Sequence, residues 1–283
     1  MELNLPQLTA QCIDIVHQAG KFIHDEASKF TADKVHVKSL NSLVSYVDVG
    51  AEKILVDGLK KLFPEAGFIT EENTATEKAT YQWVIDPLDG TTNFIHGVPA
   101  YCVSVGLIKN GKPILGVVHE IARNETFSAW INGGAYLNSE KICVTKTKAL
   151  SDCLIATGFP YEQFDFMTRY MKILSSLMSQ SRGIRRIGSA ALDLAYVACG
   201  RFDAFYEFNL NAWDVCGGAI IVQEAGGGIT DFNDGDNFLF GKEILASNNL
   251  VHGQMLMEIN LGKYPVRGCE IGNEGNDVEE ENS

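Results

Sequence analysis

Apolar residues follow two rhythms along this chain. Leu8, Cys12, Ile13, Val16, Ala19, Phe22 and Ile23 recur every three or four positions behind Pro6, which lays an apolar stripe along one helix. A second helix is expected over about 48–63, where Ala51, Ile54, Leu55, Leu59 and Leu62 repeat and Pro64 stops the run. The rhythm then shortens to β-like runs at 67–70, 82–86, 101–108, 114–119 and 125–131. Asn110-Gly111 joins the third and fourth of these as a hairpin, and Asn132-Gly133-Gly134 closes the last, so an antiparallel meander is expected. Helical spacing returns at 164–181, 188–199 and 213–225, separated by a strand at 203–207 and followed by a strand at 244–247 and a last helix. Such blocks predict an α+β fold of layered sheets and helix pairs.

With 283 residues, 46% of them hydrophobic, the chain can bury a large core, and no Pro/Ser-rich linker divides it. A net charge of -13 argues against binding nucleic acid through its phosphates. Six acids and no base lie between Glu270 and Ser283, and this tail is expected to be disordered. No apolar run is long enough for a membrane helix, and the start carries no secretory pattern, so a cytoplasmic protein is expected. Seven scattered cysteines without a C-x-x-C pair speak against a disulfide framework or a zinc site.

The chemistry concentrates in Trp83-Val84-Ile85-Asp86-Pro87-Leu88-Asp89-Gly90-Thr91-Thr92-Asn93-Phe94. A buried-looking strand delivers Asp86 at its end, and Asp89 follows three residues later. Two carboxylates facing one small volume repel unless neutralised, and a hard divalent cation such as Mg²⁺ suits them, with the Leu88 carbonyl as a neutral donor between. Gly90-Thr91-Thr92 reads as a turn into a short helix whose free N–H groups could receive an anion. The same spacing also suits an Asp-capped turn, and spacing alone leaves both open. Glu71 and Glu72 follow a β-like run, and Asp214 sits in the first turn of an apolar helix, where the helix dipole favours an acid.

Taken together, D-P-L-D-G-T-T-N-F at 86–94 and W-D-V-C-G-G at 213–218 resemble the inositol monophosphatase family of Mg²⁺-dependent, Li⁺-sensitive phosphatases, over about residues 5–262. Segments 186–193 and 203–207 and the lysine loop around Lys38 match as well. The resemblance implies an α-β-α-β-α layered sandwich of the inositol monophosphatase and fructose-1,6-bisphosphatase type. It implies a single phosphatase domain over 1–268, with a metal-binding half at about 1–150, a substrate-contributing half at about 151–268, and the acidic tail 269–283 outside it. Glu71, Asp86 and the Leu88 carbonyl would hold one Mg²⁺, and Asp86, Asp89 and Asp214 a second, with a third held loosely near Glu71 through waters. Thr91, partnered by Asp48, would orient and deprotonate the attacking water, with Glu71 also in the catalytic set. Gly90 and Thr91 N–H groups and Thr92 would receive the phosphate, Glu207 and the Ala190 backbone the substrate hydroxyls beside Asp214, and Lys38 is a further candidate.

The activity so implied is hydrolysis of myo-inositol monophosphate or a similar polyol or sugar phosphate by a metal-activated water, with Li⁺ as inhibitor and a homodimer as the expected assembly. No Cys, Ser or His nucleophile stands in the cluster, which agrees with direct attack by water. Thr92-Asn93-Phe94 departs from the Lys-Glu-Phe of nucleotide 3′-phosphatases acting on phosphoadenosine, which remain an alternative, as does fructose-1,6-bisphosphatase activity. Gly158-Phe159-Pro160-Tyr161 and Gly217-Gly218 depart from the best-known animal members, which bears on substrate preference. A reading of another class is a binding module of a transcription complex, for which Arg182, Arg185 and Arg186 offer a basic patch.

Overall fold

The computed structural model describes residues 3–29, 35–39, 42–159 and 167–261; the side chains of 35–44, Lys38 among them, Tyr161 and the acidic tail lie outside the described residues. Helix α1 (Leu5–Ala27) starts under Asn4, whose side chain accepts the Gln7 N–H, with Pro6 in its first turn. Strands β1 (Val35–Ser39) and β2 (Ser42–Ser45) pair antiparallel and lead into α2 (Tyr46–Leu62). Then follow β3 (Gly67–Thr70), β4 (Thr76–Glu77), β5 (Tyr81–Asp89), the short α3 (Thr91–Ile95), β6 (Cys102–Lys109), β7 (Lys112–Glu120), β8 (Glu125–Trp130), β9 (Gly134–Leu137) and β10 (Glu140–Ile142). The second half runs β11 (Leu154–Thr157), α4 (Met167–Gln180), β12 (Gly183–Arg185), α5 (Ala190–Ala198), β13 (Ala204–Phe208), α6 (Ala212–Glu224), β14 (Gly228–Thr230), β15 (Glu243–Ser247) and α7 (His252–Leu261).

An eight-stranded sheet has the order β10-β9-β8-β7-β6-β5-β3-β4, and a five-stranded one β12-β11-β13-β15-β14. The expected meander is present from β5 to β8, including the Asn110-Gly111 hairpin in which both residues have positive φ, and β9 and β10, which were not foreseen, extend it. Helices α1 and α2 cover one face of the large sheet, α5 and α6 fill the space between the sheets, and α4 and α7 cover the outer face of the small sheet. The five layers are therefore α-β-α-β-α, as the resemblance implied. Three apolar cores occupy the interfaces between layers, with Trp83, Leu55 and Phe68 under α1 and α2, Phe205 and Phe127 around α5 and α6, and Tyr170 and Tyr206 under α4.

Two local departures matter for the site. Strand β5 does not end at Asp86 but continues to Asp89, with its pairing to β6 broken between those two residues. That irregularity re-aims the segment without ending the strand. Strand β11 was not foreseen: Leu-Ile-Ala-Thr is four residues long and buried between two parallel neighbours, so it shows no alternation to read. Gly217 and Gly218 also have a packing reason. A side chain at 217 would meet Ser104 Oγ of β6 at 2.8 Å, and one at 218 would meet Leu194 Cβ of α5 at 2.5 Å, so the pair lets α6 lie close to both layers.

Candidate active site

Helix α2 opens with a reciprocal cap, Ser45-x-x-Asp48: Ser45 Oγ accepts the Val47 N–H while Asp48 Oδ2 accepts the Ser45 N–H at 2.9 Å and its hydroxyl at 2.7 Å. Asp48 is 1% exposed, and burial raises its pKa against the pull of those bonds. Its other oxygen, Oδ1, accepts the Thr91 hydroxyl at 3.0 Å. Thr91 Oγ1 lies equally close to the Leu88 carbonyl, also 3.0 Å, so one hydroxyl proton is shared between two acceptors. The Asp48–Thr91 partnership of the resemblance is thus present in the geometry.

Asp86 is 2% exposed, with Oδ1 accepting the Leu88 N–H. Its pKa lies well above the usual carboxylate range because it is desolvated and faces Glu71, Asp89 and Asp214, with a carboxyl–carboxyl hydrogen bond to Glu71. Asp89 reaches across a hundred residues: Oδ2 accepts the Ser189 hydroxyl and the Ala191 N–H, both at 2.7 Å, with the Ala190 N–H adding to them. It thereby caps α5 from another strand, where Ser189 makes no cap bond of its own. Burial outweighs those donors and holds Asp89 at a pKa of about 6. Asp214, in the first turn of α6, accepts the Asn211 N–H at 2.6 Å and is pushed up to about 7 by burial and by Asp89.

Glu207, on β13, makes no hydrogen bond among the described residues; burial, then Asp214 and Asp89, raise it to about 8, with Arg186 pulling the other way. Its carboxylate lies directly on the backbone of Gly158. Gly90 adopts positive φ at the start of α3, and the exposed Thr92 lies in the first turn of that helix. Lys38 falls on β1 with its side chain outside the described residues, as do Tyr161 and the tail.

Sequence reasoning missed three contributors. Asp193 on α5 is 1% exposed, its Oδ1 has no hydrogen-bond partner, and it faces Glu207 and Asp89. Ser189 orients Asp89, as above. Asn93 ties the motif to the loop before α5 by donating to the Ala100 and Ile187 carbonyls at 2.7 and 2.9 Å. All three lie in segments that carry the resemblance, 86–94 and 186–193, but their roles were not singled out because most of their partners are remote in the chain or in another layer.

The donor set suits a hard cation. Every side chain in the cluster offers oxygen, and among the described residues no Lys or Arg pairs with Asp86 or Asp89 to offset the repulsion between the acids. Among the described residues, no three acidic, His or Cys side chains already stand at ligating spacing, so the acids share a space without forming a closed cage. No helix among those residues is long and apolar enough to cross a membrane.

A layered α+β protein with convergent carboxylates at one end of its large sheet is the architecture of a metal-dependent phosphatase family. The sequence model of the inositol monophosphatase family matches residues 4–260, and the chain belongs to that family. Among curated relatives, a putative Nus factor SuhB of Neisseria meningitidis is 43% identical over 245 residues, covering 86% of this chain and 94% of its own. Nus factor SuhB of Escherichia coli is 39% identical over 241 residues, 84% and 90% of the two chains. Among solved structures, the extragenic suppressor protein suhB of Bartonella henselae superposes with a TM-score of 0.83 at 37% identity, over 87% of this chain and 96% of that one. The inositol monophosphatase of Thermotoga maritima does so at 0.80 and 35%, over 89% and 96%.

Proposed function

We propose that the chain is a Mg²⁺-dependent phosphomonoesterase that hydrolyses myo-inositol monophosphate or a similar polyol or sugar phosphate. The observation that carries this reading is the Asp48–Thr91 hydrogen bond beside a buried carboxylate cluster in which, among the described residues, no base pairs with Asp86 or Asp89. Glu71, Asp86, Asp89, Asp214 and the Leu88 carbonyl would hold the cations. Bound Mg²⁺ supplies a water of lowered pKa and neutralises charge on the phosphoryl and leaving oxygens.

The residues divide the remaining work. Asp48, held by Ser45, is an acceptor for the Thr91 proton, which leaves a Thr91 lone pair for the proton of an attacking water. Gly90 and Thr91 N–H groups and Thr92 would receive the phosphate. The Glu207 carboxyl accepts from no donor among the described residues, which supports the reading of it as an acceptor for a substrate hydroxyl, with Ala190. Two or three Mg²⁺ ions, inhibition by Li⁺, a homodimer and a cytoplasmic location belong to the same proposal. Exposed Met167, Met171 and Met178 on α4 with Met257 on α7 support an apolar face for a second copy, and free thiols at Cys12, Cys102 and Cys143 support a reducing compartment.

Phosphate release from inositol, sugar and nucleotide monoesters, with and without Mg²⁺ and with added Li⁺, tests this. Turnover is expected with Mg²⁺ on polyol phosphates ahead of phosphoadenosine and fructose-1,6-bisphosphate; no release from any of them ends the proposal.

A second reading is favoured by the name Nus factor borne by relatives at 39 to 43% identity: a role in a transcription complex. The basic patch behind it is smaller than three arginines suggest. All three are exposed, but the Arg182 charge is met by Asp152 at 2.7 Å, and Arg186, 5.9 Å from the Phe159 ring, also acts on Glu207 and Asp193.

A further inference from the structure

Helix α2 carries two acids four residues apart, and so on one face: Asp48 and Glu52. Asp48 holds Thr91, as described. Glu52 is 0% exposed, yet among the described residues it belongs to no ion pair and hydrogen-bonds to none of the acids of the cluster. Its two oxygens are filled from one place. Oε2 accepts the Glu72 N–H at 2.8 Å, and Oε1 accepts the Thr74 N–H at 2.9 Å and the Thr74 hydroxyl at 2.6 Å. Those three donors belong to the turn that follows β3, whose first residue is Glu71.

Other bonds also reach the turn, among them the carboxyl hydrogen bond between Glu71 and Asp86. Its own bonds are Thr70 Oγ1 to the Ala75 carbonyl and Asn73 Nδ2 to the Glu71 carbonyl, both at 3.3 Å, and Asn73 sits at positive φ. The Glu71 N–H reaches the Ile85 carbonyl of β5 at 3.2 Å. A charge-assisted acceptor that takes two N–H groups and a hydroxyl is worth more than any of these, and leaving a buried carboxylate without its donors is costly. So the path of the chain just after Glu71 is set from α2, the helix that also sets Thr91.

We propose that Glu52 is a positioning residue for the cation site: it fixes the Glu71 turn against Asp86 and Thr91, so that divalent-cation affinity depends on a side chain that contacts no cation. The inference rests on the phosphatase reading above. Outer contacts of this kind typically change metal affinity by about 10- to 100-fold.

The test uses the full chain. Mg²⁺ binding to Glu52→Gln and Thr74→Ala is measured by calorimetry in the absence of substrate, alongside Mg²⁺ activation, the substrate KM at saturating Mg²⁺, and Tm without metal. Thr74→Ala covers the case in which Glu52→Gln fails to fold, and Thr74→Ser, which keeps the hydroxyl, is its rescue variant. Expected are an approximately tenfold or greater weakening of Mg²⁺ binding in Glu52→Gln, a smaller one in Thr74→Ala, recovery in Thr74→Ser, and a substrate KM within about twofold of the parent. Unchanged Mg²⁺ binding in the folded variants overturns the proposal, and so does a KM that rises in step with the loss of Mg²⁺ affinity, which would mark general loosening. If the parent chain takes up no Mg²⁺, the phosphatase reading itself fails; if the parent binds Mg²⁺ and the variants match it, only the role of Glu52 does.

Discussion

Gly158→Ala is a one-carbon change whose effect follows from a single contact. A methyl group at position 158 would fall 2.0 Å from Glu207 Cδ, whereas ordinary contact begins at 3.4 Å, so the carboxylate must retreat by about 1.4 Å or the strand must shift. Strand β11 has little room to shift: Tyr170 donates to the Gly158 carbonyl at 2.7 Å, and Thr157 donates to the Tyr206 carbonyl at 2.9 Å. The carboxylate therefore moves, and if it accepts a substrate hydroxyl, that bond is lost. Above pH 8, where Glu207 is ionised, a hydrogen bond to it contributes roughly 1.5–3 kcal/mol, so kcat/KM for a polyol phosphate measured there should fall by about 10- to 150-fold. An aryl phosphate has no hydroxyl for Glu207 and should be hydrolysed within about twofold of the parent rate, which also reports folding. The assay is the ratio of kcat/KM for the two substrates in parent and variant. An unchanged ratio would refute the seating of Glu207 as the cause of polyol preference, and an equal loss on both substrates would show that the damage lies elsewhere.

Thr91→Val should lower kcat by about 10²- to 10⁴-fold, the range of general acid–base assistance, while Thr91→Ser retains most of it; steady-state rates at saturating Mg²⁺ decide this. Asp86→Asn should abolish Mg²⁺-dependent phosphate release while leaving any protein partner bound in a pull-down; loss of both together would mean that the two roles are not separable. His119 is buried beside His17, and its imidazole is held at a pKa of about 4, below its usual 6.5, first by burial and then by the charge of His17. A depressed folded-state pKa favours the neutral ring, so its contribution is complete above pH 6.5 and is lost as pH falls toward 4. The stability advantage over His119→Gln should shrink by up to about 3 kcal/mol across that window in urea titrations, and a constant difference would contradict it.

Much of this was legible because it is local. Helical and β rhythms located α1, α2, the meander and α6 to within two or three residues, since each element needs only its own apolar face to declare itself. Asp86, Asp89, Gly90 and Thr91 lie within six consecutive residues, so their proximity was assured by the chain itself. The caps Ser45-x-x-Asp48 and Asn211-x-x-Asp214 are equally local, though neither was foreseen from the sequence.

Packing between layers decided the rest. Glu71 meets Asp86 because β3 and β5 run parallel side by side, although 14 residues separate the two acids along the chain. Asp89 finds its donors on α5, Glu52 is buried under a turn it does not adjoin, and Glu207 can rest on Gly158 only because β11 and β13 are neighbours. Burial and mutual repulsion, which raise the pKa values of Asp86, Asp89, Asp214 and Glu207, exist only once those elements have docked. A residue's type and its near neighbours are written in the chain, but the dielectric around it and the charges opposite it are properties of the assembled layers.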